Sequence, residues 1–105
     1  IPDLIGLTQD PDVRVRSAAL TALVVFRPVS DDVIAVLARN VRDGDSRIRT
    51  AAINAMRNVG PENAGKVVPI LREALNTEKN SPTKRLMESV LESLEKDPVK
   101  ANSKN

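Results

Sequence analysis

Two segments of this chain are copies of each other, and that fact constrains the fold more than any other. Asp10-Pro11-Asp12-Val13-Arg14-Val15-Arg16-Ser17-Ala18-Ala19-Leu20-Thr21-Ala22-Leu23 matches Asp43-Gly44-Asp45-Ser46-Arg47-Ile48-Arg49-Thr50-Ala51-Ala52-Ile53-Asn54-Ala55-Met56 at nearly every position, by identity or by size. The offset is 33 residues, and the flanks keep it, with Phe26-Arg27-Pro28 falling on Val59-Gly60-Pro61. A unit this short cannot bury an apolar face alone, so neighbouring units must stack and share a core.

Each unit reads as two helices. Upstream of the second copy, Ser30 is an N-cap followed by Asp31 and Asp32, whose charge suits the first turn of a helix. Val33, Leu37 and Val41 then fall on one face. Val67-Val68-Pro69-Ile70-Leu71 holds the same place one unit later, where Pro69 is expected to kink the helix. Ile1-Pro2-Asp3-Leu4 holds it one unit earlier, so the chain reads as opening inside a unit of a longer protein. The second helix of each unit starts at an N-cap aspartate, Asp12 or Asp45, after a tight turn containing Pro11 or Gly44. Val15, Ala19, Ala22, Leu23 and Phe26 form one apolar stripe, and Ile48, Ala52, Ala55, Met56 and Val59 form its copy. Leu20 and Ile53 widen the stripe, as a helix packed on two neighbours requires.

The third unit diverges. Ser81-Pro82 reads as an N-cap with proline at the first helical position. Leu86, Val90, Leu91 and Leu94 continue the stripe, while Glu88, Glu92, Glu95 and Lys96 place charge on the rest. A terminal repeat with no further neighbour needs such a polar outer face. The expected organisation is one all-α solenoid domain over residues 1–96, with units at about 1–28, 29–61 and 62–96, and a disordered polar tail over 97–105.

Composition removes whole classes of chemistry. The chain has no Cys, His, Trp or Tyr, and Phe26 is its one aromatic residue. Disulfides, thiol nucleophiles, imidazole bases and the usual transition-metal ligands are therefore out of reach. One ring makes no platform for stacking bases. No apolar run approaches the roughly 18 residues of a membrane span, and no signal peptide opens the sequence. The absence of Cys and of a signal or spanning segment favours a cytoplasmic setting. Carboxylate pairs do occur, Asp10 with Asp12 and Asp43 with Asp45. They repeat in equivalent turns, which suits capping rather than one catalytic dyad. No catalytic residue, cofactor or metal site is expected.

The pattern Asp-x-Asp-x-x-(Val/Ile)-Arg-x-x-Ala-(Ala/Leu)-x-Ala-(Leu/Met), carried by residues 10–26 and 43–59, resembles the HEAT repeat in its bacterial short-unit form, as in phycocyanobilin-lyase-type repeats. The resemblance covers the chain apart from the tail. It implies a right-handed stack of antiparallel helix pairs, with the second helices lining the concave face. It also implies a ladder between units, built by Asp10, Asp12 and Arg16 and by Asp43, Asp45 and Arg49. The third unit lacks both elements of the motif, so no rung is expected there.

The residues left over by this scaffold are the candidates for binding. The outer face of the second helices offers Arg14, Ser17, Thr21 and Val25, then Arg47, Thr50, Asn54 and Asn58. With the third unit set 38 residues after the second, the ridge continues through Arg85, Glu88, Glu92 and Lys96. Such a ridge begins basic and ends acidic, whereas a nucleic-acid groove stays positive along its length. With a net charge of only +2, the chain is not expected to bind nucleic acid or membrane. The expected function is a non-enzymatic module that holds a protein or peptide partner. A bilin-handling module of a lyase or chaperone-like protein is the alternative that the repeat subtype suggests, and a weak nucleic-acid-binding solenoid is the third.

Overall fold

The computed structural model describes residues 2–26 and 28–95, and among them there are six α-helices and no strand. Lys96 and the segment 97–105 lie outside the described residues. The helices are α1 (Pro2–Leu7), α2 (Val13–Leu23), α3 (Asp31–Asn40), α4 (Ser46–Arg57), α5 (Ala64–Leu75) and α6 (Ser81–Glu95), with a 3₁₀ turn at Pro61–Asn63 before α5. They pair as α1 with α2, α3 with α4, and α5 with α6.

Caps at the helix starts fix the phase of each unit. The Ser30 hydroxyl accepts the Val33 N–H at 3.3 Å, and the carboxylates of Asp12 and Asp45 accept the N–H groups of Arg14 and Arg47, each at 2.8 Å. Gly60 takes φ 94°, a left-handed conformation in which a side chain would be strained, and so turns the chain into the 3₁₀ segment.

The core is aliphatic. Leu20, Leu23, Leu37, Ile48, Ile53, Met56, Leu71 and Met87 are fully buried, joined by Val41, Val59, Val67 and Val90. With no ring to fill space, closeness comes from small residues: Ala19, Ala52 and Ala55 are buried on the second helices. Those helices form a tightly packed row, α2 on α4 and α4 on α6, while α3 and α5 touch much less. A stack that is tight in one layer and loose in the other curves with the tight layer inside, so α2, α4 and α6 line the concave side.

The equivalent position in each second helix shows how the stack ends. Leu20 and Ile53 have no exposure, and each stands one helical turn after an arginine that reaches the next unit. The counterpart in α6 is Glu88, which is exposed.

Three expectations are corrected. Phe26 is half exposed, whereas its counterpart Val59 is buried. The helix α2 stops at Leu23, one repeat position short of the end of α4, so Phe26 lies three residues beyond its helix where Val59 lies two, and the 3.6 period no longer sets its direction. Val15 and Ala22 are only half-buried, unlike Ile48 and Ala55. The helix α5 continues through Pro69, the proline expected to kink it. Pro69 is exposed, and so is Gly65, whose carbonyl loses its partner to the proline and is left facing water.

The third correction concerns register. The side chain of Asn80 accepts the Thr83 N–H at 3.1 Å, and its carbonyl accepts the Lys84 N–H at 2.8 Å, so Asn80 caps α6 rather than Ser81. The third unit is therefore set 35 residues after the second, from Asp45 to Asn80, and not 38. The buried stripe of α6 is Thr83, Met87, Val90, Leu91 and Leu94, and Leu86 only flanks it. A slip of three residues is close to one helical turn, so the apolar stripe looked the same in either register.

Candidate functional site

The turns that start the second helices are built from nested carboxylate bonds. The Asp10 carboxylate accepts the Asp12 N–H at 2.8 Å, and Asp43 accepts the Asp45 N–H at 2.9 Å. The third turn uses Glu78, which accepts the Asn80 N–H at 3.0 Å. Glu78 thus stands where Asp10 and Asp43 stand, two residues ahead of the cap.

Arginines from each unit reach the next turn. Arg16 Nη1 donates to Asp43 Oδ1 at 3.4 Å. Arg49 donates from Nε to Glu78 Oε1 at 2.8 Å, from Nη2 to Oε2 at 3.1 Å, and from Nη1 to the Asp43 carbonyl at 2.8 Å. A rung therefore does exist at the third unit, contrary to expectation. Its signal was present in the sequence as Glu78-x-Asn80-x-x-Thr83, a carboxylate two residues before a capping side chain. The cleft around this rung, about 480 Å³ and lined among others by Arg42, Asp43, Arg49, Glu78 and Lys79, is open. Two exposed ion pairs tie the outer layer, Lys66 to Asp31 and Arg42 to Glu73, and a third, Arg72 to Glu95, joins α5 to α6. Each such pair is worth little by itself.

The candidate binding ridge lies beside these turns. Arg14, Thr21, Val25, Arg47, Asn54 and Asn58 are exposed, and Ser17 and Thr50 are half-buried. In the corrected register the third unit adds Pro82, Arg85, Ser89 and Ser93, all exposed. Glu88 and Glu92 leave the ridge and flank it, so it does not end acidic.

Neither Arg14 nor Arg47 is a free cation. Arg14 folds back on its own cap, donating to Asp12 from Nε at 3.3 Å and Nη2 at 3.1 Å. Arg47 does the same to Asp45 at 3.1 and 2.8 Å. The Asp45 carboxyl is drawn down to about 2, first by the Arg47 side chain and then by the Arg47 N–H. Asp12 is lowered by the same two contacts from Arg14. Arg47 in turn is raised by Asp45. Each clamp sums to zero charge, so the ridge presents hydrogen-bonding groups and short side chains more than a positive potential. Asn58 and Thr21 spend donors locally, on the Asn54 and Ser17 carbonyls.

Among the described residues, no three His, Cys, Asp or Glu side chains converge as a metal site needs, and no helix is long and apolar enough to cross a membrane.

A curved stack of antiparallel helix pairs, joined by arginine–carboxylate rungs at its turns, defines an α-solenoid of short helical repeats. The sequence profile of the HEAT repeats matches residues 1–92, and the chain belongs to the HEAT repeat family. No curated protein and no solved structure matches the chain.

Proposed function

We propose that this domain is a non-enzymatic interaction module and that the ridge of α2, α4 and α6 holds an extended segment of a protein partner. The observation that carries this reading is the repetition of an exposed short polar side chain at one equivalent position of the concave row, Thr21, then Asn54, then Ser89, with Arg14 and Arg47 one to two turns before the first two. Repeated polar groups at one-unit spacing match the repeating amides and side chains of an extended chain, and a solenoid presents them without enclosing a small substrate. The clamps favour a polar, uncharged peptide over nucleic acid, because only unpaired cations release counterions from phosphates.

The test begins with a displayed peptide library selected on the intact domain. Peptides bound by the ridge should lose at least about tenfold in affinity to a Thr21→Glu, Asn54→Glu double variant. They should bind a Lys66→Gln variant, altered on the opposite layer, as well as the parent. Equal binding to all three would place the contact elsewhere. The bilin-handling reading draws on the repeat subtype alone, and titration with a tetrapyrrole, read by its absorption, addresses it directly.

A further inference from the structure

The ridge of α2, α4 and α6 is uneven in charge, and the cause lies at its caps. In the first two units the cap is an aspartate, and the arginine two residues on folds back over it. In the third unit the cap is Asn80 and the residue two positions on is Pro82. A neutral cap holds no cation and a proline offers none, so neither half of a clamp exists there.

The row one turn nearer the caps than Thr21, Asn54 and Ser89 changes character at the same unit. Counted five residues from each cap, it runs Ser17, Thr50 and Arg85. Two small uncharged groups are followed by a guanidinium. Arg85 is exposed, and among the described residues it meets no carboxylate. Lys84 next to it and Lys79 in the turn ahead are exposed and unpaired as well. Glu88, one turn further along α6, is exposed and pairs with none of the three. The cationic end of the ridge is therefore the start of α6, where three unpaired positive charges face one unpaired carboxylate. Arg57 is also exposed and unpaired, but it lies in the last turn of α4, away from this row.

We propose that the partner segment is polar and uncharged where it crosses α2 and α4, and carries an Asp or Glu side chain where it crosses α6, paired with Arg85. This rests on the ridge being the binding face, and it adds the register of the bound segment. Packed helices stand about 8–10 Å apart, and an extended chain advances about 3.3 Å per residue. About three residues of the partner then match each helix, and the acid falls about six residues from the one over α2. A carboxylate that meets the guanidinium as the partner covers it forms a charge-assisted hydrogen bond, stronger than those the neutral groups of the first two units can make.

The probe is a displayed library of random peptides selected on the full chain. Peptides held by the ridge are those that bind more weakly to a Thr21→Ala, Asn54→Ala double variant, which removes hydrogen-bonding groups and adds no charge. They should share one acidic position near one end of the contact. Replacing that acid by its amide, and Arg85→Gln in the domain, should each weaken binding about fivefold or more, and the two together no more than either alone. Arg57→Gln should leave the affinity unchanged. Ridge-dependent peptides with no shared acid, or with an acid that answers to Arg57 and not to Arg85, would overturn this register and leave the ridge as the binding face. If no selected peptide depends on Thr21 and Asn54, the ridge itself is refuted and the register with it.

Discussion

The two joints of this solenoid look interchangeable in sequence and are not so in structure. At the first, Arg16 reaches Asp43 through one long contact of 3.4 Å, and its Nε is buried with no partner. At the second, Arg49 grips both oxygens of Glu78, whose side chain is 3% exposed, and a third nitrogen holds the Asp43 carbonyl. The difference is one methylene. Glutamate extends far enough from the turn to meet the guanidinium fork squarely, and aspartate does not. The unit that departs most from the repeat pattern therefore makes the better rung, and fidelity to a motif is not a measure of strength.

Removing the arginines tests that contrast most severely. Arg49→Ala leaves the Glu78 carboxylate, whose side chain is nearly buried, without its cation and should destabilise the domain by about 3–5 kcal/mol. Arg16→Ala removes a long, weak contact and an unsatisfied N–H together, and should cost about 1 kcal/mol or less. Urea unfolding of both variants measures the gap, and equal losses would show that the rungs are equivalent in solution. A double-mutant cycle with Glu78→Ala separates the pair energy from loss of the Asn80 turn bond.

Apolar burial separates the units more gently. Ile53→Ala, at a side chain with no exposure, should cost about 2–4 kcal/mol. Ala at 88 in place of the exposed Glu88 should change stability by no more than about 0.5 kcal/mol. A large loss at 88 would mean that α6 is covered by something further.

The first joint also admits improvement. Asp43→Glu gives the first turn the reach of the second, so that Arg16 Nε gains an acceptor while the Asp45 N–H keeps one. The expected gain is about 0.5–1 kcal/mol, seen as a higher thermal midpoint. The gain should vanish in an Arg16→Ala background, because without the guanidinium the longer side chain has nothing to reach.

These contrasts also mark what could be read from the chain beforehand. The helix pairs, their caps at Asp12, Ser30 and Asp45, and the polar end of the stack were legible, because each rests on short-range spacing. The identity of the α6 cap was not. Ser81-Pro82 is a good local start signal, and it competes with Asn80 one residue earlier. The winner was decided by Glu78 docking on Arg49 from 29 residues away. Phe26 was misread for a related reason: its place in the period was right, but its helix ended three residues short of it, one more than α4 falls short of the buried Val59. The exposed ridge residues could be named from the pattern. That Arg14 and Arg47 would neutralise themselves on their own caps could not, since the same side chains extended into solvent would have left the same sequence.

The smallest effect lies in those clamps, and it sets the two copies against each other once more. Arg47 holds Asp45 at 2.8 and 3.1 Å, whereas Arg14 holds Asp12 at 3.1 and 3.3 Å. Asp45 accordingly falls from the usual 3.8 to about 2, and Asp12 falls in the same direction. A carboxyl whose folded value is depressed releases its proton more readily when folded, so the unfolded chain binds more protons at acid pH. Stability from the clamp is complete above about pH 4 and drains away as the pH falls toward about 2. Asp45→Asn keeps an acceptor for the Arg47 N–H but has no proton to exchange. Its unfolding midpoint should therefore fall less steeply than the parent's across that window, while Asp12→Asn should flatten the profile less. Identical profiles for the parent and both variants would mean that the arginines do not stay folded on their caps, and the ridge would then carry two free positive charges.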